Sequence, residues 1–447
     1  MDQGGQLDNL SPILSDQVLV NGTAVPLTLT GDGKLRFLGQ RQRCLTVEKE
    51  VLGFAVEEGS RIRIKAVMEE REGICCCGNR GDLVRESFVF EPLSEDSLAL
   101  WSQKLRDYID SLETKHQLHA KEVAKTMDLS KYDGIVCVSG DGILVEVVNG
   151  LLEREDWSAA INMPIGMVPA GNGMVKSLLH AAGEQCCVSN AILAVIRGYK
   201  HSLDVATISQ GKTRFFSVLM LAWGLIADID IESEKYRWMG SARLDFYAIQ
   251  RIFHLRHYNG RICFVPAPGF EDYGEPMSFH CRPTDEESPK QEESLKTQQH
   301  GYLGSDVKLE DMHWRTISGP FVSVWLHNVP WGSEDVMAAP NAKFSDGYLD
   351  LIMVKGLPKL ALLSMMSNMN DGSHVESPYV TYIKVKAFIL EPGTRVEDPT
   401  KEGIIDSDGE VIARGNVTYK GNQKPLMAYD KVQITVDQGL ATLFAPK

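Results

Sequence analysis

Between residues 13 and 91, apolar positions fall in short runs broken by polar ones. VPLTLT, KLRFLG, RIRIKAVME and SFVFEP are rich in Val, Ile, Leu and Phe, and Asn-Gly and Gly-Asp-Gly turns punctuate the region. That spacing predicts consecutive strands. The period lengthens at Ser94-Glu95-Asp96, after which Leu98, Leu100, Trp101, Leu105, Tyr108 and Ile109 make the stripe of one helix. From 112 to 203 the pattern changes again. A helix over roughly His116 to Met127 leads to the strand GIVCVSG, a glycine turn and a helix from Ile143 to Leu152. The strand IGMVPAG, a second glycine turn and a helix from Met174 to Ala182 repeat the unit. Strand, glycine turn and helix in repetition predict an open parallel α/β sheet that binds ligands at the carboxyl ends of its strands. From 204 to 447 the runs are again strand-like, beginning with a hairpin about Gln210-Gly211. Two helices are expected there, at Ser241 to Leu255 and Pro358 to Asn368. Residues 282 to 306 are charged, rich in Ser and Gln and nearly free of large apolar residues, which predicts a disordered insertion.

The expected fold is therefore α/β plus all-β. A small β-rich domain (1–111) precedes a doubly wound α/β lobe (112–203) and a β-sandwich-like lobe (204–447). Several meandering strands closed by a Trp-containing helix resemble a pleckstrin-homology module.

Composition narrows the class. At 447 residues the chain has room for about three domains. A net charge of −14 argues against wholesale nucleic-acid binding, which needs phosphate neutralisation. It leaves room for a local basic patch at a membrane. The start, MDQGGQLDNLSPILSD, lacks the basic-then-apolar order of a secretory signal. The longest apolar run, Phe215 to Ala227, is shorter than the about 20 residues of a spanning helix. Nine cysteines, Cys75, Cys76 and Cys77 among them, contain no C-x-x-C pair and signal neither a disulfide framework nor a zinc finger. A cytoplasmic protein with peripheral membrane contact is expected.

Four segments carry candidate chemistry. In VSGDGILVEVVNGLL (138–152) a strand delivers Gly140, Asp141 and Gly142 into a turn at a helix start, where backbone N–H groups suit a bulky anion. A carboxylate at position 141 suits acceptance of a substrate proton or a hold on Mg²⁺. MVPAGNGMVKSLL (167–179) repeats the arrangement. In WGLIADIDIESEKYRWMGSAR (223–243) an apolar run ends in Asp228, Asp230, Glu232 and Glu234, followed by Arg237 and Arg243. If extended, it places Asp228 and Asp230 on one face. An acidic end to an apolar groove fits an amphiphile with a cationic head. Asp406, Asp408 and Glu410 cluster around Gly409 and suit Mg²⁺.

SGDG with VVNGL, PAG with its glycine loop, LAWGLIADIDIESEKYR and the late DGE are similar to the sphingosine kinases of the diacylglycerol-kinase catalytic superfamily. The resemblance covers about 112 to 447 and is nearest the plant branch. It implies ATP-dependent phosphorylation of the primary hydroxyl of a sphingoid base, with ATP on the α/β lobe and the lipid on the β-sandwich lobe. Asp141 then matches the catalytic carboxylate and Glu146 a supporting acidic position. Asp230 matches the head-group carboxylate. Gly140, Gly142, Gly171, Asn172, Gly173, Glu234, Arg237, Arg243, Gly409 and Glu410 match positions at the nucleotide, and Asp408 the Mg²⁺ position. Other readings are a non-catalytic sphingolipid-binding or regulatory protein, or a diacylglycerol or ceramide kinase. Asp230 favours a free amine over those neutral lipids.

The chain departs from that family in two places. The family opens its α/β lobe with a strand and an Asn-Pro-x-x-Gly-Gly loop, and no Asn-Pro occurs in this sequence. The second glycine loop lacks two residues between Gly171 and Asn172. Both losses fall on ATP contacts. The expectation is a shortened kinase with weakened or absent activity and an unpaired strand edge where the missing unit belongs.

Overall fold

A computed structural model describes residues 12–38, 42–57, 60–69, 83–110, 114, 116–169, 173–240, 242–277, 301–305, 309, 312–333, 335–415 and 425–447. The chain divides into two compact units, residues 1–117 and 118–447.

The first unit contains β1 (Pro12–Val20), β2 (Thr23–Thr30), β3 (Lys34–Leu38), β4 (Gln42–Thr46), the short α1 (Val47–Glu50), β5 (Val51–Glu57), β6 (Arg61–Glu69), β7 (Leu83–Pro92) and α2 (Glu95–Asp110). The strands are antiparallel in the order β4-β3-β2-β1-β7-β6-β5. Their alternation sends Val18, Leu29, Leu35, Ile64 and Phe90 inward. Ser94 starts α2, its Oγ accepting the Ser97 N–H at 3.1 Å. The apolar stripe then buries Trp101 and Leu105 in the same core. Cys75, Cys76 and Cys77 lie outside the described residues.

The second unit opens with α3 (His119–Thr126), β8 (Ile135–Ser139), α4 (Asp141–Leu152), α5 (Trp157–Ala160), β9 (Ile165–Pro169), α6 (Gly173–Ala181) and α7 (Val188–Arg197). β8 and β9 run parallel, in register from Ile135–Ile165 to Ser139–Pro169. β9 joins the β-rich part through one parallel pair, Ile165 with Leu443. Among the described residues β8 has no strand on its other edge. One face of β8 is covered, with Cys137 buried. The other carries Val136 and Val138, which are 48% and 73% exposed.

The β-rich part contains β10 (Lys200–Gln210), β11 (Thr213–Ser217), β12 (Met220–Gly224), α8 (Leu225–Glu232), α9 (Ala242–Phe253), β13 (Tyr258–Pro266), β14 (Glu275–Pro276), β15 (Arg315–Ser318), β16 (Ser323–His327), β17 (Leu349–Val354), α10 (Lys359–Ser367), β18 (Val380–Arg395), β19 (Ile404–Ser407), β20 (Glu410–Arg414) and β21 (Val432–Phe444). The order β11-β10-β21-β18-β17-β16-β12-β19-β20 makes a sandwich-like body, with the 16-residue β18 pairing first with β17 and then with β13 and β21. Phe264, Phe321, Phe388, Leu351 and Trp223 fill it.

Two expectations change here. The segment holding Asp228 and Asp230 is helical, not extended. Gly224, at φ +89°, turns the chain where a Cβ would lie 2.5 Å from the Val322 carbonyl, and α8 begins at the next residue. Of the insertion expected at 282–306, residues 301–305 are described and docked. The Tyr302 ring lies 4.5 Å from that of Trp157, and its N–H donates to the Leu152 carbonyl at 2.8 Å. The Tyr302 ring supplies an aromatic contact for that short stretch. The remainder lies outside the described residues.

Candidate active site

The first glycine turn closes β8 and starts α4. Gly140 has extended backbone (φ −74°, ψ −178°), and a Cβ at Gly140 or Gly142 would meet nothing within 4 Å. Neither a left-handed conformation nor packing demands glycine at these positions. Their small size instead leaves the N-terminus of α4 open to a bulky anion. Asp141 is partly exposed, and its Oδ1 accepts the Met174 N–H at 3.1 Å. Met174 is in the first turn of α6, which Gly173 opens. One side chain thus fastens the two strand–turn–helix units at their ligand-facing ends. Gly171 and Asn172 lie outside the described residues.

Glu146 is placed differently from the expectation. Its Oε1 accepts the Leu118 N–H at 3.0 Å and its Oε2 the Ala120 N–H at 3.1 Å. Five residues along α4 rotate it well away from Asp141, and it caps the N-terminus of α3. Its geometry is that of a structural fastener, not a catalytic group. Asn149 is a second fastener, missed in the sequence. It is buried, donates to the Phe216 carbonyl at 2.7 Å and accepts the Phe216 N–H at 3.0 Å, tying α4 to β11.

The helical period gives α8 two faces. On one, Asp228 and Glu232 are four residues apart and both accept from Arg256 at 2.9 Å. The Tyr258 hydroxyl donates to Asp228 at 2.6 Å, and the Tyr247 hydroxyl donates to Glu232. This buried network locks α8 to α9 and to the start of β13. On the opposite face, Asp230 meets a cavity of about 490 Å³ lined mainly by apolar side chains of α8, α9 and α10, among them Ile229, Leu244, Ile252, Leu363 and Met366, together with the carboxylates of Asp245 and Asp335. A separate small pocket shares Ile226, Trp325, Met366 and Met369 with that lining and is also bordered by Ile352 and His374.

Asp230 also faces Asp406, on β19. Burial, and then the neighbouring Asp230 charge, push the Asp406 carboxyl well above the usual carboxylate range. Burial raises Asp230 too, while the hydrogen bond from Asp406 and the Arg243 charge pull it down. Glu234, Arg237 and Arg243 come together as one cluster, with Glu234 bridging the two guanidinium groups at 2.9 Å each. Arg237 is largely exposed and Arg243 largely covered.

Asp408 does not suit Mg²⁺. It is buried at φ +54° in the tight turn with Gly409 that joins β19 to β20. Its Oδ1 accepts from Ser217 Oγ, Leu219 N and Met220 N, and its Oδ2 from Val218 N, at 2.7–3.1 Å. With those four donors it anchors the loop from β11 to β12. Glu410 follows on β20 and is partly exposed.

Among the described residues, no helix is long and apolar enough to cross a membrane. Residues 96–208 match the diacylglycerol kinase catalytic domain, and residues 305–426 match the YegS C-terminal NAD kinase beta sandwich-like domain. The chain is 57% identical to sphingosine kinase 1 of Arabidopsis thaliana, covering 97% of each protein, and 58% identical to sphingosine kinase 2 of that plant, covering 97% and 98%. It is 33% identical to human sphingosine kinase 1, covering 67% of this chain and 76% of the human protein. The first alignment spans 478 positions, more than the 447 residues here, so that relative carries residues opposite gaps in this chain. At 57% and 58% identity to these two kinases over 97% of its length, the chain belongs to the sphingosine kinase family.

Proposed function

We propose that this chain transfers the γ-phosphate of ATP to the primary hydroxyl of sphingosine or a related sphingoid base. The observation that carries this reading is the largely apolar cavity whose lining includes the Asp230 carboxylate. A chain of methylenes gains about 0.8 kcal/mol per group buried in such a cavity, and a carboxylate in its wall suits a protonated amine. Diacylglycerol and ceramide have no such cation.

Asp141 takes the proton of the lipid hydroxyl as that oxygen attacks the γ-phosphorus, and ADP leaves with the β–γ bridging oxygen. Positioning and charge supply most of the acceleration in such a transfer. The open backbone at Gly140 and Gly142 and the start of α6 at Gly173 suit the phosphates, with Gly171 and Asn172 assigned to the same turn. Arg237 and Arg243, held by Glu234, are proposed to pair with phosphate oxygens, and Gly409 and Glu410 to face the nucleotide. ATP is used with Mg²⁺ in this class of reaction. Asp408 does not fit the metal, and no step is assigned to it.

We further infer that the nucleotide lobe is short of one strand–helix unit. Two features support this: the edge of β8 that no strand among the described residues pairs, with its exposed Val136 and Val138, and the gaps against a relative 57% identical. The expected consequence is slower turnover. Peripheral membrane contact is proposed through exposed apolar side chains on the elements around the cavity: Trp238 and Leu360 are 82% and 80% exposed, and Phe246, Ile249 and Phe253 of α9 are exposed as well. The first unit, seven antiparallel strands closed by a helix, is read as pleckstrin-homology-like.

A panel of sphingosine, ceramide and diacylglycerol incubated with γ-labelled ATP tests the substrate. Label is expected in sphingosine, at least tenfold more slowly than with the 57%-identical relative in parallel. Equal labelling of diacylglycerol contradicts the substrate reading, and equal rates contradict the missing unit.

A further inference from the structure

The connection from β16 to β17 supplies part of the cavity wall, through Gly332, Ser333, Asp335 and Val336. It is closed on itself: Trp331 and Met337 form an antiparallel bridge, and the Gly332 N–H donates to the Val336 carbonyl at 2.9 Å. The Met337 N–H donates to the carbonyl of Met369, another lining residue, at 2.7 Å. Trp331, the first residue of this closed loop, is gripped by α6. Its N–H donates to Ser177 Oγ at 3.0 Å. Lys176 Nζ stands 4.7 Å from the centroid of its ring, and the His180 ring meets it edge-on at 5.4 Å. Helical spacing puts Lys176, Ser177 and His180 on one side of α6. The indole is buried, and its Nε1 has no partner among the described residues, so packing and the Lys176 charge hold the ring rather than its own N–H. The same helix starts at Gly173, and its Met174 N–H donates to Asp141. One helix therefore carries the second glycine turn at its start and the cavity wall along its side.

We propose that Trp331 is a positioning residue for phosphoryl transfer: clamped against α6 and followed at once by residues of the cavity wall, it holds the lipid in register with the phosphate-binding turn. This rests on the reading of the cavity as the sphingoid site and of the glycine turns as the phosphate site. In-line attack needs the reacting atoms about 3–3.5 Å apart, and a misplacement of about 1 Å costs about 100-fold in rate. The lipid and the nucleotide are held by different stretches of chain, so their spacing depends on how those stretches are joined. Trp331 touches neither substrate in this account. Its loss therefore lowers turnover while each substrate still binds.

Turnover of sphingosine in mixed micelles, with equilibrium binding of sphingosine and of a non-hydrolysable ATP analogue, tests it on the full-length chain. Trp331→Leu is expected to lower kcat at least about tenfold and to leave both affinities within about threefold. Trp331→Phe keeps an aromatic face for Lys176 and His180 and gives up no hydrogen bond, so kcat returns to within about threefold of wild type. In the Trp331→Leu background, Lys176→Met lowers kcat by less than about twofold more, because its partner is already gone. A smaller loss in Trp331→Leu, a loss that appears in either affinity instead, or no recovery in Trp331→Phe overturns the proposal. Hydrogen exchange provides a second arm that needs no turnover. Ser177→Ala removes the acceptor of the Trp331 N–H and is expected to speed exchange at the Gly332 amide about fivefold. Unchanged exchange at Gly332 overturns the proposal, and this arm decides alone where Trp331→Leu does not melt cooperatively. If the wild type yields no labelled sphingosine above the background of Asp141→Asn, the transfer reading itself fails, which is a separate result, and the Gly332 exchange still decides whether α6 holds the cavity wall.

Discussion

The backbone N–H of Met174 donates to Asp141 Oδ1 at 3.1 Å, so the carboxylate in the first glycine turn holds the start of the helix that follows the second. Losing an acceptor of this kind costs about 1 kcal/mol, or about fivefold in local opening. Asp141→Ala is expected to speed hydrogen exchange at the Met174 amide about fivefold, while Asp141→Asn, whose Oδ1 still accepts, leaves it near wild type. Equal exchange in all three proteins contradicts the fastening.

The network beneath α8 depends on Arg256, which serves both Asp228 and Glu232. Arg256→Ala leaves two buried carboxylates without their shared cation, and about 3–5 kcal/mol of stability is expected to be lost. Urea unfolding measures it. A loss below 1 kcal/mol shows the network to be solvated.

Buried histidines set the expected response to acid. His327 is fully buried, and burial pushes its pKa down to about 3 from the ordinary 6.5; burial also lowers His374. Below pH 6.5 the unfolded chain takes up protons that the folded one refuses. Stability is therefore expected to fall from about pH 6.5 towards pH 3, by up to about 1.4 kcal/mol per pH unit for His327, and to stay flat in this respect above 6.5. Melting curves of wild type and His327→Gln across that range check it: the variant shows the shallower slope. Identical slopes contradict the assignment.

The face of β8 that carries Val136 and Val138 is uncovered. Val138→Lys is expected to change stability by no more than about 0.5 kcal/mol and to reduce self-association at the free edge. Denaturation and sedimentation velocity measure both. A loss of several kcal/mol places this strand in the interior and removes the argument for a missing unit.

The repeated strand–turn–helix pattern was legible because each turn joins two changes of hydrophobic period, and Asp141 stands at such a junction. Asp230 stood out through its motif, but its geometry did not. Period-two alternation put Asp228 beside it, whereas Gly224 turns the chain into a helix and sends the two to opposite faces. Glu146 and Asp408 look catalytic or metal-binding in sequence because a carboxylate's partners are invisible there. In the fold both are consumed by backbone N–H groups, at Leu118 and Ala120 and at Val218 to Met220. Asp406 was grouped with Asp408 and Glu410 because they are neighbours in sequence, whereas in the fold its side chain is fully buried on β19. An acidic residue following Ile404 and Ile405 on a buried strand was the available signal.

If a sphingoid base bound against Asp230 is phosphorylated with Asp141 as proton acceptor, product formation depends on the Asp141 carboxylate while lipid binding does not. The most direct measurement is transfer of labelled phosphate from ATP to sphingosine by the purified chain and by Asp141→Asn, with sphingosine binding measured on both. Labelled product is expected from the wild type, with a loss of about 100- to 10,000-fold in the variant and binding unchanged within about threefold. Equal product from both proteins, or none from the wild type above the variant's background, would contradict it.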